Sequence, residues 1–174
     1  MKKLLFILAI GFLASCERQE EGELITTVEL HLQQDSINRM VSFEDLDGPG
    51  GQDPSFPDTL ILKTGVSTAE LLLWNKSLQI PESITDEVRE ESNDHLVCWE
   101  WIPDNTDDLP LLTLTRLDKD SQGLELGLQI SIDAKMGSNS QGKIRCTLKH
   151  QPGIKTGACA LGETDVEVDF PVRW

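Results

Sequence analysis

Basic side chains, histidine and tyrosine are scarce in this 174-residue chain. Lysine and arginine total 15 against 30 aspartates and glutamates, which gives a formal net charge of -15, and tyrosine is absent. Proteins that bind nucleic acid neutralise its phosphates with a basic face, and no stretch of this sequence supplies one. We therefore expect no nucleic-acid partner.

Motifs that mark the common enzyme classes are also missing. The sequence has no G-x-S-x-G elbow, no H-E-x-x-H pair, no P-loop and no G-x-G-x-x-G after a predicted strand. Its three histidines and scattered carboxylates define no reacting geometry. We therefore predict a protein that is not an enzyme and has no catalytic residues.

No apolar run is long enough to cross a bilayer. The longest, residues 4–13, has ten residues, whereas a transmembrane helix needs about 20. Lys2 and Lys3 precede this run, and the small residues Ala14 and Ser15 follow it, which is the pattern of a secretory signal peptide. We predict that residues 1–15 direct export and are then removed.

The tetrad Leu13-Ala14-Ser15-Cys16 closely resembles the lipobox of bacterial lipoproteins. In those proteins the cysteine thiol takes a diacylglycerol and becomes the mature N-terminus, so the resemblance implies lipidation of Cys16. More than one acyl chain gives stable anchoring. The expected location is the outer membrane, at its periplasmic face or on the cell surface. The alternative is an ordinary secretory signal that happens to carry a cysteine.

The predicted mature chain is strongly acidic. Loss of residues 1–15 removes two lysines and no acid, so 13 basic and 30 acidic side chains remain and the formal net charge becomes -17. Residues 16–23 are polar and acidic and predict a tether between the lipid and the folded part. Residues 24–174 then form one domain.

Alternation of apolar and polar residues dominates the chain after residue 23. It predicts strands, because successive side chains of a strand point to opposite faces. Nine such runs occur, at residues 24–32, 39–44, 59–63, 69–74, 95–101, 111–117, 124–132, 142–150 and 164–172. Only residues 83–93 have a helical pattern, with Ser83 as a candidate N-cap. We predict an all-β fold: an antiparallel β-sandwich of the immunoglobulin-like or Greek-key type, with about nine strands and one short helix.

Three cysteines remain once Cys16 is set aside: Cys98, Cys146 and Cys159. In an oxidising compartment at most one intramolecular disulfide can form among them, and all three pairings are open. Cys146 shares its strand face with Ile144 and Leu148, which predicts that it points into the core. The leftover thiol is more often an inert buried cysteine than a catalytic one.

Several ordered motifs resemble a family of short Gram-negative outer-membrane lipoproteins that is often labelled "type 1 periplasmic binding fold superfamily protein". They are LITTV (24–28), FEDLDG (43–48), ITDEV (84–88), DH (94–95), LKHQP (148–152) and GETDVEVDFPV (162–172). The label does not describe the expected fold, since such binding proteins have two doubly wound α/β lobes. The family's function is uncharacterised, so the resemblance indicates kinship and no particular activity. The three cysteines after Cys16 depart from its pattern.

Two histidines define a candidate transition-metal site. His95 begins one predicted strand and His150 ends another, so they meet at one rim if these strands are antiparallel neighbours. With Glu91 or Asp94 they offer imidazole and carboxylate ligands suited to zinc, iron or copper. The alternative is that each histidine has only a structural role.

Two acidic loops form candidate calcium sites. Asp45 and Asp47 precede a glycine, and Asp118 and Asp120 precede another, as in oxygen-ligated calcium loops. The same pattern is typical of polar turns, which is the favoured interpretation.

The predicted function is a non-catalytic binding or interaction module on a lipid-anchored envelope protein. The alternative is a metal-binding accessory lipoprotein that works with an outer-membrane transporter or another envelope protein. Its cofactor would be a divalent metal. A purely structural envelope protein is the third hypothesis.

Exposed tryptophans bind flat ligands, but Trp99 and Trp101 share a face of one strand and are predicted to anchor the core.

Overall fold

The computed structural model describes residues 24–48, 51–136 and 140–174, so the predicted signal peptide, Cys16 and the tether lie outside the described residues. The strands are β1 (Thr27–Gln34), β2 (Ile37–Glu44), β3 (Leu60–Ile61), β4 (Gly65–Asn75), β5 (Glu82–Ser83), β6 (His95–Pro103), β7 (Leu112–Arg116), β8 (Gln129–Ala134), β9 (Gln141–His150) and β10 (Glu163–Arg173). Helix α1 is Ile84–Glu90, and a 3-10 helix covers Thr106–Leu111. In the described part of the chain, no helix is both long and apolar enough to cross a membrane.

The strands form two sheets that pack face to face. The larger sheet has the order β2-β1-β4-β8-β7, with β5 added on the end of β4, and the smaller sheet has the order β3-β10-β9-β6. Neighbouring strands are antiparallel except β3 and β10, which are parallel. The chain changes sheets several times, including between β2 and β3, β6 and β7, and β8 and β9. The predicted all-β antiparallel sandwich is therefore confirmed.

The core lies between the two sheets and comes from the apolar face of each alternating run. Its largest fully buried side chains include Leu30, Leu71, Ile130, Ile144 and Phe170. Trp101 is buried and Trp99 packs partly buried against the same cluster, as expected for core anchors. Trp99 also donates its indole N–H to the carbonyl oxygen of Gly127 at 2.8 Å, which satisfies its polar group.

Helix α1 begins where the sequence predicted. The side chain of Ser83 accepts a hydrogen bond from the amide of Asp86. Two acidic side chains in the first turn interact favourably with the positive end of the helix dipole. The helix ends at Glu90, one turn earlier than the predicted boundary. Thr85 accepts from the amide of Leu73 at 2.7 Å and so fixes the helix against β4.

One predicted strand is shorter than its pattern. The sequence indicated a strand over residues 124–132, but β8 begins at Gln129. Leu126 and Leu128 are buried, yet their carbonyl oxygens accept from Val97 and Leu71, which lie in different sheets. The alternating pattern therefore correctly indicates that one face of this segment is buried. Its backbone, however, does not pair continuously with a single neighbouring strand.

Residues 151–162, between β9 and β10, form a segment that we call the strap. A disulfide joins Cys159 of the strap to Cys98 of β6, one of the three pairings that the sequence left open. The side-chain amide of Gln151 donates to the carbonyl oxygens of Ala158 and Leu161 at 2.9 and 2.8 Å. Among the cysteines that the structure describes, Cys146 is the free thiol, and it is buried, as its strand face predicted.

Candidate functional site

The two predicted histidines meet. Strand β6 pairs with β9 so that His95 lies directly opposite His150. Their rings stack with centroids 4.9 Å apart and planes inclined by 10°. His95 is buried, and its Nδ1 lies 3.2 Å from the carbonyl oxygen of Glu91. The sequence argument thus placed both imidazoles correctly at one end of the smaller sheet.

A carboxyl that the sequence argument did not include also reaches this pair. Register shifts between Thr164 and Val166, so Asp165 is the extra residue of a β-bulge. Burial raises the pKa of Asp165, which also interacts electrostatically with His150 and His95. Burial likewise lowers the pKa of His95. Both shifts have the sign expected when an ionisable group is removed from water.

The predicted carboxylate ligands have other roles here. Glu91 approaches His95 through its backbone carbonyl. Asp94 accepts from the amide of Gly153 through its side chain and from that of Gln151 through its backbone, so it supports the start of the strap. Within residues 24–48, 51–136 and 140–174, no group of three or more histidine, cysteine, aspartate or glutamate side chains is arranged to hold a metal ion.

The second acidic loop uses its carboxylates to build turns. Asp118 accepts three backbone N–H bonds, from Gly127, Leu128 and Gln129, at 2.8 to 3.2 Å. Asp120 accepts from two amides of its own turn and from Lys155. These donors occupy oxygens that a calcium ion would need, in agreement with the favoured interpretation as polar turns.

The first acidic loop is more open. Asp47 accepts from the amide of Gln52 at 2.8 Å, whereas Asp45 has one buried side-chain oxygen without a hydrogen-bond partner. A small depression of about 280 Å³ is lined by both aspartates together with Glu44 and Asp53. The structure therefore gathers carboxylates there, and calcium binding remains a prediction.

A groove of about 510 Å³ lies on the outer face of the larger sheet. Strand register explains how it is lined, because four strands contribute one side chain each to a row that crosses the sheet. The row consists of Met40, His31, Glu70 and Gln129. A parallel row adds Asn38, Gln33 and Thr68. We call this surface the outer groove.

The outer groove offers hydrogen-bonding side chains beside two side chains of opposite charge, Arg39 and Glu70. His31 lies 3.0 Å from the carboxylate of Glu29, and Glu70 accepts from Arg89 of α1 at 2.8 Å, so these two side chains have partners within the domain. Between them, amides and a hydroxyl remain open to solvent. Such a surface can bind a polar partner in a fixed orientation.

Sequence reasoning did not find the outer groove. Alternation shows which side chains of one strand share a face, but which of them form a row across the sheet depends on pairing between strands that are far apart in the sequence. Comparison of the chain with known proteins finds no matching family model, no matching curated protein and no matching solved structure.

Proposed function

We propose that the protein is a lipid-anchored envelope lipoprotein whose β-sandwich is a non-catalytic binding module. Lipid on Cys16 holds it to the outer membrane, and the outer groove takes the partner. The observation that carries this proposal is the size and lining of the groove. It has about 510 Å³, within the range of ligand sites, and it is lined by side chains from several strands.

The lining indicates the chemistry of the partner. Gln33, Asn38 and Gln129 each carry a donor and an acceptor, and Thr68 adds a hydroxyl. Met40 and Leu117 supply apolar contact at two sides of the groove. A partner that presents hydroxyl or amide groups beside a small apolar surface fits this arrangement.

Site-specific photo-crosslinking in cells tests the proposal. A photoreactive side chain at position 40 lies in the groove, and one at position 66 is the matched control because Val66 is similarly exposed on β4 outside it. We expect an adduct at position 40 that is absent at position 66 and that weakens when Gln33→Ala and Gln129→Ala are combined. The adduct mass separates a glycan from a protein partner. Equal adducts at both positions, or an adduct insensitive to the two substitutions, would contradict the proposal.

Metal capture as an accessory to an outer-membrane transporter is the second candidate function. It is favoured by the juxtaposition of His95 and His150, which supplies two imidazoles at one site. Elemental analysis of the purified full chain, before and after chelation and metal readdition, tests it. Stoichiometric metal that is lost from a His95→Ala/His150→Ala variant is expected. Because His95 is buried, a thermal melt must show that this variant is folded, and metal content unchanged by the double substitution would reject the idea.

A further inference from the structure

One end of the sandwich is defined by strand register. Thr27, at the start of β1, pairs with Glu44 at the end of β2 and with Trp74 near the end of β4. Trp74 also pairs with Ser83 of β5. The chain before β1, the loop after β2 and the loop between β4 and β5 therefore all lie at this end of the larger sheet.

This end carries a group of exposed apolar side chains. Phe56 is 73% exposed and Ile80 is 82% exposed, while Leu24, Leu46 and Leu78 are about half exposed. Phe56 belongs to the group because its neighbour Ser55 exchanges two backbone hydrogen bonds with Glu44. We call these five side chains the apolar rim. Single exposed apolar residues are ordinary, and Val66, Leu109 and Met136 are exposed at the opposite end. The larger group of five at this end of an acidic domain indicates a surface that is covered in use.

The position of the rim relative to Cys16 indicates what covers it. Cys16 precedes Leu24 by eight residues, which span at most about 28 Å when fully extended. The opposite end of the sandwich is farther away by the length of β4, whose 11 residues rise about 36 Å. A lipid on Cys16 therefore keeps the end of the sandwich that carries the rim within about 28 Å of the bilayer, whereas the opposite end is not held there by the tether.

We propose that the apolar rim docks into the interfacial layer of the same bilayer that holds the acyl chains of Cys16. This inference rests on the proposed lipidation. Leu24, Leu46, Phe56, Leu78 and Ile80 enter the boundary between headgroups and acyl chains, as exposed apolar side chains of peripheral proteins do. The strands then stand upright on the membrane, and the outer groove faces sideways.

Charge next to the rim selects the kind of lipid. Asp45, Asp47 and Asp53 line the depression beside Leu46, and Lys76 is paired with Glu29 and Glu44. Anionic headgroups would be repelled by this set of carboxylates, so the rim is suited to a zwitterionic surface.

Tryptophan quenching in vesicles tests the docking. The lipidated mature protein is reconstituted into phosphatidylcholine vesicles whose acyl chains carry bromine, which quenches tryptophan at short range. Ile80→Trp places the probe in the rim, and Met136→Trp is the matched control, because Met136 is 85% exposed and follows the end of β8 that pairs with the start of β4. The wild-type chain, with its four tryptophans, gives the baseline.

We expect the brominated lipid to quench the tryptophan fluorescence of Ile80→Trp more than that of the wild type, and to quench Met136→Trp no more than the wild type. The quenching of Ile80→Trp should decrease when anionic lipid is added. Palmitate labelling and flotation of the same samples report lipidation separately. Labelled, floating protein with equal quenching in both variants would overturn the docking and leave the anchor intact. Protein that takes no label and does not float would overturn both, since the rim would then have no bilayer beside it.

Discussion

Lys155 and Asp120 form a buried ion pair, with Nζ and Oδ2 2.7 Å apart and side chains 2% and 0% exposed. The pair joins the strap to the turn before β8. Burial alone would raise the pKa of Asp120, but Lys155 and the amides of Leu124 and Gln122 hold it below its ordinary value. Lys155 also donates to the carbonyl oxygen of Ser92, so one side chain ties three segments together.

Lys155→Met should destabilise the protein by about 3 kcal/mol, because it leaves the carboxylate of Asp120 buried without its cation. Chemical denaturation of the purified variant measures this loss. The matched control is Arg89→Met, which breaks an exposed ion pair with Glu70 and should cost less than about 1 kcal/mol. Equal losses of unfolding free energy in the two variants would show that the buried pair contributes no more to stability than an exposed one.

The disulfide should be the second major support of the strap. Cys98 and Cys159 are 61 residues apart, so the bond restricts a long loop of the unfolded chain and stabilises the fold by about 4 kcal/mol in the chain-entropy model. We expect Cys98→Ser/Cys159→Ser to unfold at correspondingly lower denaturant. Reductant should lower the midpoint of the wild type and leave that of the variant unchanged, and a reductant effect of equal size in both would contradict the assignment.

Cys146 should be unreactive in the native protein. Its thiol is buried between the sheets, and burial raises its pKa well above the ordinary value, so little reactive thiolate forms. A thiol reagent should modify no cysteine of residues 24–174 in the folded protein and one after unfolding without reductant. Rapid labelling before unfolding would show that the interior opens locally.

Much of this fold follows from period-two patterning. All nine alternating runs contain an observed strand, and the helix start follows from Ser83. The pattern fails over residues 124–128 because an alternating segment can be buried while its backbone bonds to several neighbours, as Leu126 and Leu128 show. The pattern also misses β5, whose two residues are too few to alternate.

The candidate site was predictable only in part. His95 and His150 were paired correctly from their places at opposite strand ends. Asp165 was not found, because strict alternation over residues 164–172 hides a bulge that inserts one residue. The outer groove depends on the order of four strands, and single-strand patterns carry no information about which strands become neighbours.

Acid should weaken the smaller sheet through Asp169. Its carboxylate accepts two hydrogen bonds from Arg145, at 2.7 and 3.0 Å, and one from Lys143, which lower its pKa from 3.8 to about 2. Because the folded pKa lies below the unfolded one, the stabilisation is fully present above about pH 4 and is lost as the pH falls towards 2.

Asp169→Asn tests this pH dependence. The shift would correspond to about 2 kcal/mol if fully buried, and exposure of the carboxylate reduces the expected loss at pH 7 to about 1 kcal/mol. Denaturant titrations from pH 7 to pH 2 should show the wild-type and variant stabilities converging in acid. Asp86→Asn, which removes a more exposed partner of Arg89, should give a smaller difference at pH 7. A difference between wild type and Asp169→Asn that does not change with pH would mean that packing, rather than charge, is what Asp169 contributes.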